Sequence, residues 1–156
     1  MKLDANVFDV WVFRRTPKGV EYLLLHTSPL KAERFFNGGR FWQIPSDGAT
    51  ADEGIVDAID RLLAGFELTA TAVWAAEHVY TIYNRRFACM QIIGVYAAEV
   101  SASAVKLDPD EHSEYRWCSF DEALQAVTFR GLKDGLQSTR EYVTGRHSPP
   151  PELRLR

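Results

Sequence analysis

Phe41-Trp42-Gln43-Ile44-Pro45, followed by Thr50-Ala51-Asp52-Glu53, is the stretch from which the fold is read. A short apolar run closed by proline has the chemistry of a strand end. The Thr-x-x-Glu spacing behind it has the form of a capping box, with Thr50 as N-cap and Glu53 reaching back. Ile55, Ile59, Leu62, Leu63 and Phe66 then recur at the spacing of one helix face, and Gly65 marks the helix end. A strand thus passes through a short loop into an amphipathic helix.

Working outward, residues 7–14 (VFDVWVFR) have strand density, Thr16-Pro17-Lys18-Gly19 turns the chain, and residues 21–27 (EYLLLHT) return. Residues 28–40 read as a polar loop, with Asn37-Gly38-Gly39 near its end where positive φ is cheap. Downstream, residues 69–82 and 86–100 form two long strands joined at Tyr83-Asn84-Arg85, and a polar connection with Pro109 spans 101–111. Residues 114–118 make a short strand. Ser119-Phe120-Asp121-Glu122 is a second capping box opening a helix through Val127, and a last helix spans 132–143 with Gly145 beyond it. The order predicts an α+β fold with a mixed sheet covered by helices, over one domain at 1–146 and a proline-rich tail at 147–156.

Bulk properties agree. A chain of 156 residues can bury one core, and 46% hydrophobic with 25% charged residues is ordinary for a globular domain. A net charge of -3 provides no basic footprint for nucleic acid. No apolar run approaches the roughly 20 residues of a membrane helix, and Met1-Lys2-Leu3-Asp4 lacks the apolar start of a signal peptide. Cys89 and Cys118 lack metal-ligand spacing and read as buried free thiols, so a cytoplasmic, reducing location is expected.

The Trp-Gln-x-Pro strand and capped helix resemble the Nudix hydrolases, whose box has the form G-x5-E-x7-R-E-U-x-E-E-x-G-U, with U aliphatic. Placed without gaps, Asp47 falls on the first glycine, Glu53 on the first glutamate, Arg61 on the arginine and Leu63 on the aliphatic position. Leu62, Gly65 and Phe66 stand at the three glutamates of R-E-U-x-E-E, and Leu68 at the later glycine. A second segment, Glu111-His112-Ser113-Glu114-Tyr115-Arg116-Trp117, is similar to the E-H-x-x-Y-x-W run of bacterial dihydroneopterin triphosphate diphosphatases. The resemblance implies a Nudix-type α/β/α sandwich over roughly residues 5 to 144. It also implies descent from pyrophosphohydrolases of nucleoside-diphosphate-linked compounds.

In that family, glutamates at i, i+3 and i+4 share one helix face and hold Mg²⁺ or Mn²⁺, which offsets phosphate charge and activates water. Here the same face presents two apolar side chains and a glycine, so weak or absent hydrolysis is expected. Two alternatives stay open: a nucleotide-binding or regulatory module needing no metal, or a hydrolase with a rearranged metal site. For the latter, the resemblance points to Glu53 and Glu111 as metal ligands and catalytic groups. Glu53 also has a plain reading as a capping residue, and Glu111 as an exposed loop acid. Glu53, Asp57 and Asp60 form a stripe that reads as a solvated face with an Asp57–Arg61 pair. Arg61, Trp42, Arg85, Arg86 and His78 are the candidate substrate contacts: Arg85 and Arg86 to clamp phosphate, Trp42 to stack on a base, His78 to line the cleft. The implied ligand is a nucleotide or pterin phosphate. Pro149-Pro150-Pro151 suits an extended arm, whose crossing to a second copy would make a homodimer.

Overall fold

The computed structural model describes residues 1–101 and 104–156, so positions 102 and 103 of the polar connection lie outside the described residues. In chain order the elements are β1 (Lys2–Asp4), β2 (Val7–Thr16), β3 (Gly19–Thr27), α1 (Pro29–Phe35), β4 (Trp42–Gln43) and β5 (Ser46–Gly48). Then follow α2 (Ile55–Ala64), β6 (Ala72–Asn84), β7 (Cys89–Glu99), β8 (His112–Cys118), α3 (Phe120–Ala126) and α4 (Arg130–Thr139). The last helix widens into a π-helical turn over Arg140–Thr144.

The sheet is mixed, as the α+β reading requires. β7 runs parallel to β1 and β2 and antiparallel to β6. β3 pairs antiparallel with β2, β4 and β8, and β5 closes antiparallel on the start of β2. Both faces are covered. Phe8, Val10 and Val12 of β2 pack with Ala58, Ile59 and Leu63 of α2. Trp11 and Phe13 point the other way, into a core with Leu136 and Val143. Alternate residues serving two cores explain why β2 reads as a nearly unbroken apolar run instead of an alternating one. Cys89 and Cys118 are buried free thiols.

Four local readings are corrected. Residues 28–40 are not simply a loop: Ser28 accepts a hydrogen bond from the Lys31 N–H at 3.0 Å and Pro29 takes the first turn, starting α1. A serine cap with proline at the first helical position is itself a start signal, and it outweighs the polar composition. Next, α2 begins at Ile55 with Gly54 as its cap, not at Thr50. Glu53 does accept from the Thr50 N–H at 2.9 Å, but that bond closes a turn before the helix.

The β6–β7 connection is wider than Tyr83-Asn84-Arg85. It is residues 85–88, organised by the Asn84 side-chain oxygen accepting from Arg86 and Phe87 N–H groups. Within β6 the register shifts between Ala75 and His78, with Glu77 at φ 55°. Finally, the proline-rich end does not extend away. Leu155 N–H donates to Val73 O at 2.8 Å, Val73 N–H donates to Arg156 O at 2.9 Å, and Arg156 pairs with Asp60 of α2. The segment covers part of the open edge of β6, where unpaired backbone groups would otherwise face water.

Candidate functional site

Between α2, β6 and the start of α4 lies a cleft of about 1440 Å³. Leu62 in the last turn of α2, with Gly65 and Phe66 just beyond the helix, lines one wall. His78 and Tyr80 of β6, with Gly131 of α4, line another, and Asp9 and Ser46 lie between them. The periodicity that aims Ala58, Ile59 and Leu63 into the core leaves Leu62 half-buried at its margin, on the cleft, and Gly65 and Phe66 follow it past the helix end.

The charged groups at the rim are largely engaged with one another. Arg61 donates from Nε to Glu53 at 2.8 Å, from Nη1 to Asp47 at 2.7 Å and from Nη2 to the Gly48 carbonyl at 3.0 Å. The guanidinium holds the Glu53 carboxyl down at about 2, and the Thr50 N–H adds to that. The expected Asp57–Arg61 pair gives way to this clamp, because Asp47 and Glu53 offer two carboxylates in a forked geometry that a neighbour on the same helix cannot match. Lys31 Nζ reaches Glu111 at 2.8 Å, and Arg130 approaches Asp134 at 3.9 Å. His112 is buried near Lys31 and Glu111, and burial, reinforced by the Lys31 charge, pushes its imidazole down to about 4. It is neutral at pH 7.

Asp9 is the group that sequence reading missed. It sits within β2, is only 3% exposed, and lines the cleft. Ser46 donates its hydroxyl to one carboxylate oxygen and Tyr80 donates its phenol to the other. Burial raises the Asp9 pKa, opposed by the two hydroxyl bonds. A lone acid in an otherwise apolar strand, VFDVWVFR, was the available signal.

Of the residues singled out beforehand, Arg61, His78 and Glu111 line this cleft together. Glu53 is not among its lining residues and borders a smaller recess beside Phe8 and Tyr96. Trp42 packs against His26, with ring centroids 4.6 Å apart, and under the Arg116 guanidinium. Arg86 stacks on Phe35 at 4.1 Å at the hairpin tip, and Arg85 shares that tip. None of Trp42, Arg85 or Arg86 lines the cleft. Among the described residues, no three His, Cys, Asp or Glu side chains are gathered so as to hold a metal ion. Among them, too, no helix is long and apolar enough to cross a membrane.

The sequence matches no known family model and no curated protein. The fold does have clear relatives. A putative Nudix hydrolase from Listeria monocytogenes superposes with a TM-score of 0.73 at 20% identity, over 92% of this chain and 97% of that one. The Nudix domain of Shewanella oneidensis NrtR, solved with ADP-ribose, gives 0.69 at 19% identity, over 92% and 91%. The E. coli dihydroneopterin triphosphate pyrophosphohydrolase gives 0.64 at 12% identity, over 93% and 100%. The chain therefore has the Nudix fold, and its α+β sandwich is the one that the box and the E-H-x-x-Y-x-W segment implied.

Proposed function

We propose that this chain binds a small nucleotide-like or pterin-like compound in the cleft, and that metal-dependent cleavage of phosphoanhydrides there is weak or absent. The observation that carries this reading is the cleft wall at the end of α2, where Leu62, Gly65 and Phe66 stand in place of the oxygen ligands that hydrolysis needs. Magnesium demands near-octahedral oxygen coordination, and the donor set does not fit it. Glu111 is held by Lys31, while Glu53 is tied to Arg61 and lies outside the cleft lining. A rearranged site built from Glu53 and Glu111 would have to break both ion pairs and bring together carboxylates that border different recesses.

The positions that still match the box support the same conclusion. Arg61 is tied to both Asp47 and Glu53, fastening β5 and the turn before α2 to the last turn of the helix. Those residues serve the scaffold, so the loop–helix geometry persists without metal ligands. The nearby solved structures favour a small phosphorylated heterocycle as ligand, since one was solved with ADP-ribose and another acts on a pterin triphosphate.

The test has two halves. Purified protein with Mg²⁺ or Mn²⁺ is incubated with nucleoside triphosphates, nucleoside-diphosphate sugars and dihydroneopterin triphosphate, and release of the cleavage products (monophosphates with pyrophosphate, or with sugar phosphate) is expected at the background rate. Calorimetry of the same compounds in EDTA is expected to register binding. Robust metal-dependent release, or strictly metal-dependent binding, overturns the proposal.

A further inference from the structure

The chemistry around Asp9 defines what the cleft would hold most firmly. A carboxylate has two oxygens and about four acceptor positions, and it accepts without donating. Ser46 occupies one oxygen and Tyr80 the other, each with a single hydroxyl. Among the described residues no cation pairs with Asp9, which is buried. A buried charge stabilised only by two neutral donors is costly, and further donors would relieve it. Each oxygen keeps acceptor capacity beyond its one hydroxyl bond, and a ligand with two adjacent N–H donors would use both.

The surroundings fit a flat ring. Tyr80 and His78 form a stacked pair, with centroids 6.1 Å apart and planes at 23°, and His78 Nε2 is buried without a hydrogen-bond partner among the described residues. Phe66 and Phe129 add aromatic walls. The position of Tyr80 depends on Gly131: a β-carbon there would come within 2.4 Å of the phenol ring. Asp9 is therefore reached by a bond that helix α4 leaves room for. Phosphate finds less. Asp9, Asp47, Asp108, Glu111 and Asp134 outnumber Lys31, Arg61 and Arg130 along the lining, and Lys31 and Arg61 are already held by carboxylates.

We propose that Asp9, held by Ser46 and Tyr80, is a ligand anchor for a planar heterocycle bearing an amino group beside a ring N–H. That is the shared edge of guanine and of pterins, and in this cleft the ring, not the phosphate chain, carries the affinity. The inference rests on the reading that the cleft binds such a small compound, and it adds the recognition element.

The experiment measures binding by calorimetry in EDTA for guanosine, inosine, neopterin and inorganic triphosphate, with wild-type protein and Asp9→Asn. Inosine lacks the amino group and keeps the ring N–H. Guanosine or neopterin is expected to bind at least about tenfold more tightly than inosine, the scale of losing one bond to a charged acceptor. Which of the two binds better identifies the source of the ring. Asp9→Asn is expected to erase the preference, because the amide turns one acceptor into a donor. Its fold is checked by thermal unfolding, and the inosine comparison tests the anchor without any substitution. Equal binding of guanosine and inosine, or binding carried by triphosphate alone, overturns the anchor while leaving a phosphate-compound binder standing. Absence of binding by every nucleotide and pterin tested removes both.

Discussion

His112 provides the sharpest test of the site's electrostatics. Its imidazole is buried, and its pKa falls from the ordinary 6.5 to about 4 in the fold. In the unfolded chain it takes up a proton near 6.5, while the native protein refuses it until about pH 4. Stability at His112 is therefore complete above 6.5 and is lost as pH falls toward 4. Between pH 7 and pH 5 the linkage amounts to about 2 kcal/mol, and for a domain of this size that is a fall in Tm of about 4–8 °C.

Asp9 works in the opposite direction, because its raised pKa makes the native state bind protons more readily as pH drops. His26, whose pKa is lowered by burial and by Arg40, works in the same direction as His112. The comparison that isolates His112 is therefore wild type against His112→Gln, each unfolded in urea at pH 7, 6 and 5. The variant should lose about 2 kcal/mol less than wild type across that range. Parallel curves, differing only by a constant offset, would refute the claim that His112 is held neutral by its burial.

Three further outcomes follow from the same structure. Leu63→Ala, at a fully buried position facing β2, should cost about 2–5 kcal/mol in urea unfolding, since the surrounding core can close only part of the void. Ser119→Ala should cost about 1 kcal/mol, because its hydroxyl accepts from the Glu122 N–H at 3.2 Å while the Glu122 carboxylate accepts from the Ser119 N–H at 2.9 Å. Gly131→Ala should push the Tyr80 ring off Asp9, with a destabilisation of about 1–3 kcal/mol and an altered tyrosine environment in near-ultraviolet circular dichroism. An unchanged spectrum would show that the ring does not depend on that glycine.

The residues that fit the box pattern and those that do not separate along a physical line. Asp47, Glu53 and Arg61 make bonds that do not require a ligand, and these hold β5 and the turn before α2 against the helix. The side chains of Leu62 and Phe66, which line the cleft, make no ion pairs and pack by apolar contact against the core. Glu53 illustrates how one residue can satisfy a motif for a different reason. It stands at a glutamate of the box and at the fourth place of a capping pattern, yet its carboxylate is spent on Arg61 and on the Thr50 N–H.

What was legible in the sequence was whatever depends on neighbours along the chain. The helix face of α2, the capping box of Ser119, the two long strands and the mixed α+β order all follow from spacing and local propensity, which operate over a few residues. Helix α1 is equally local: its start signal is Ser28-Pro29, set within a polar stretch whose composition by itself suggests a loop. The site was another matter. Asp9, Ser46 and Tyr80 are separated by up to 71 residues and meet only because β2, β5 and β6 share one sheet. The return of Arg156 to Asp60, and the choice of Asp47 and Glu53 over Asp57 as partners of Arg61, were decided in the same way. A hydrogen bond or ion pair between distant residues carries no periodic trace in the sequence, because its geometry exists only once the sheet and helices have packed.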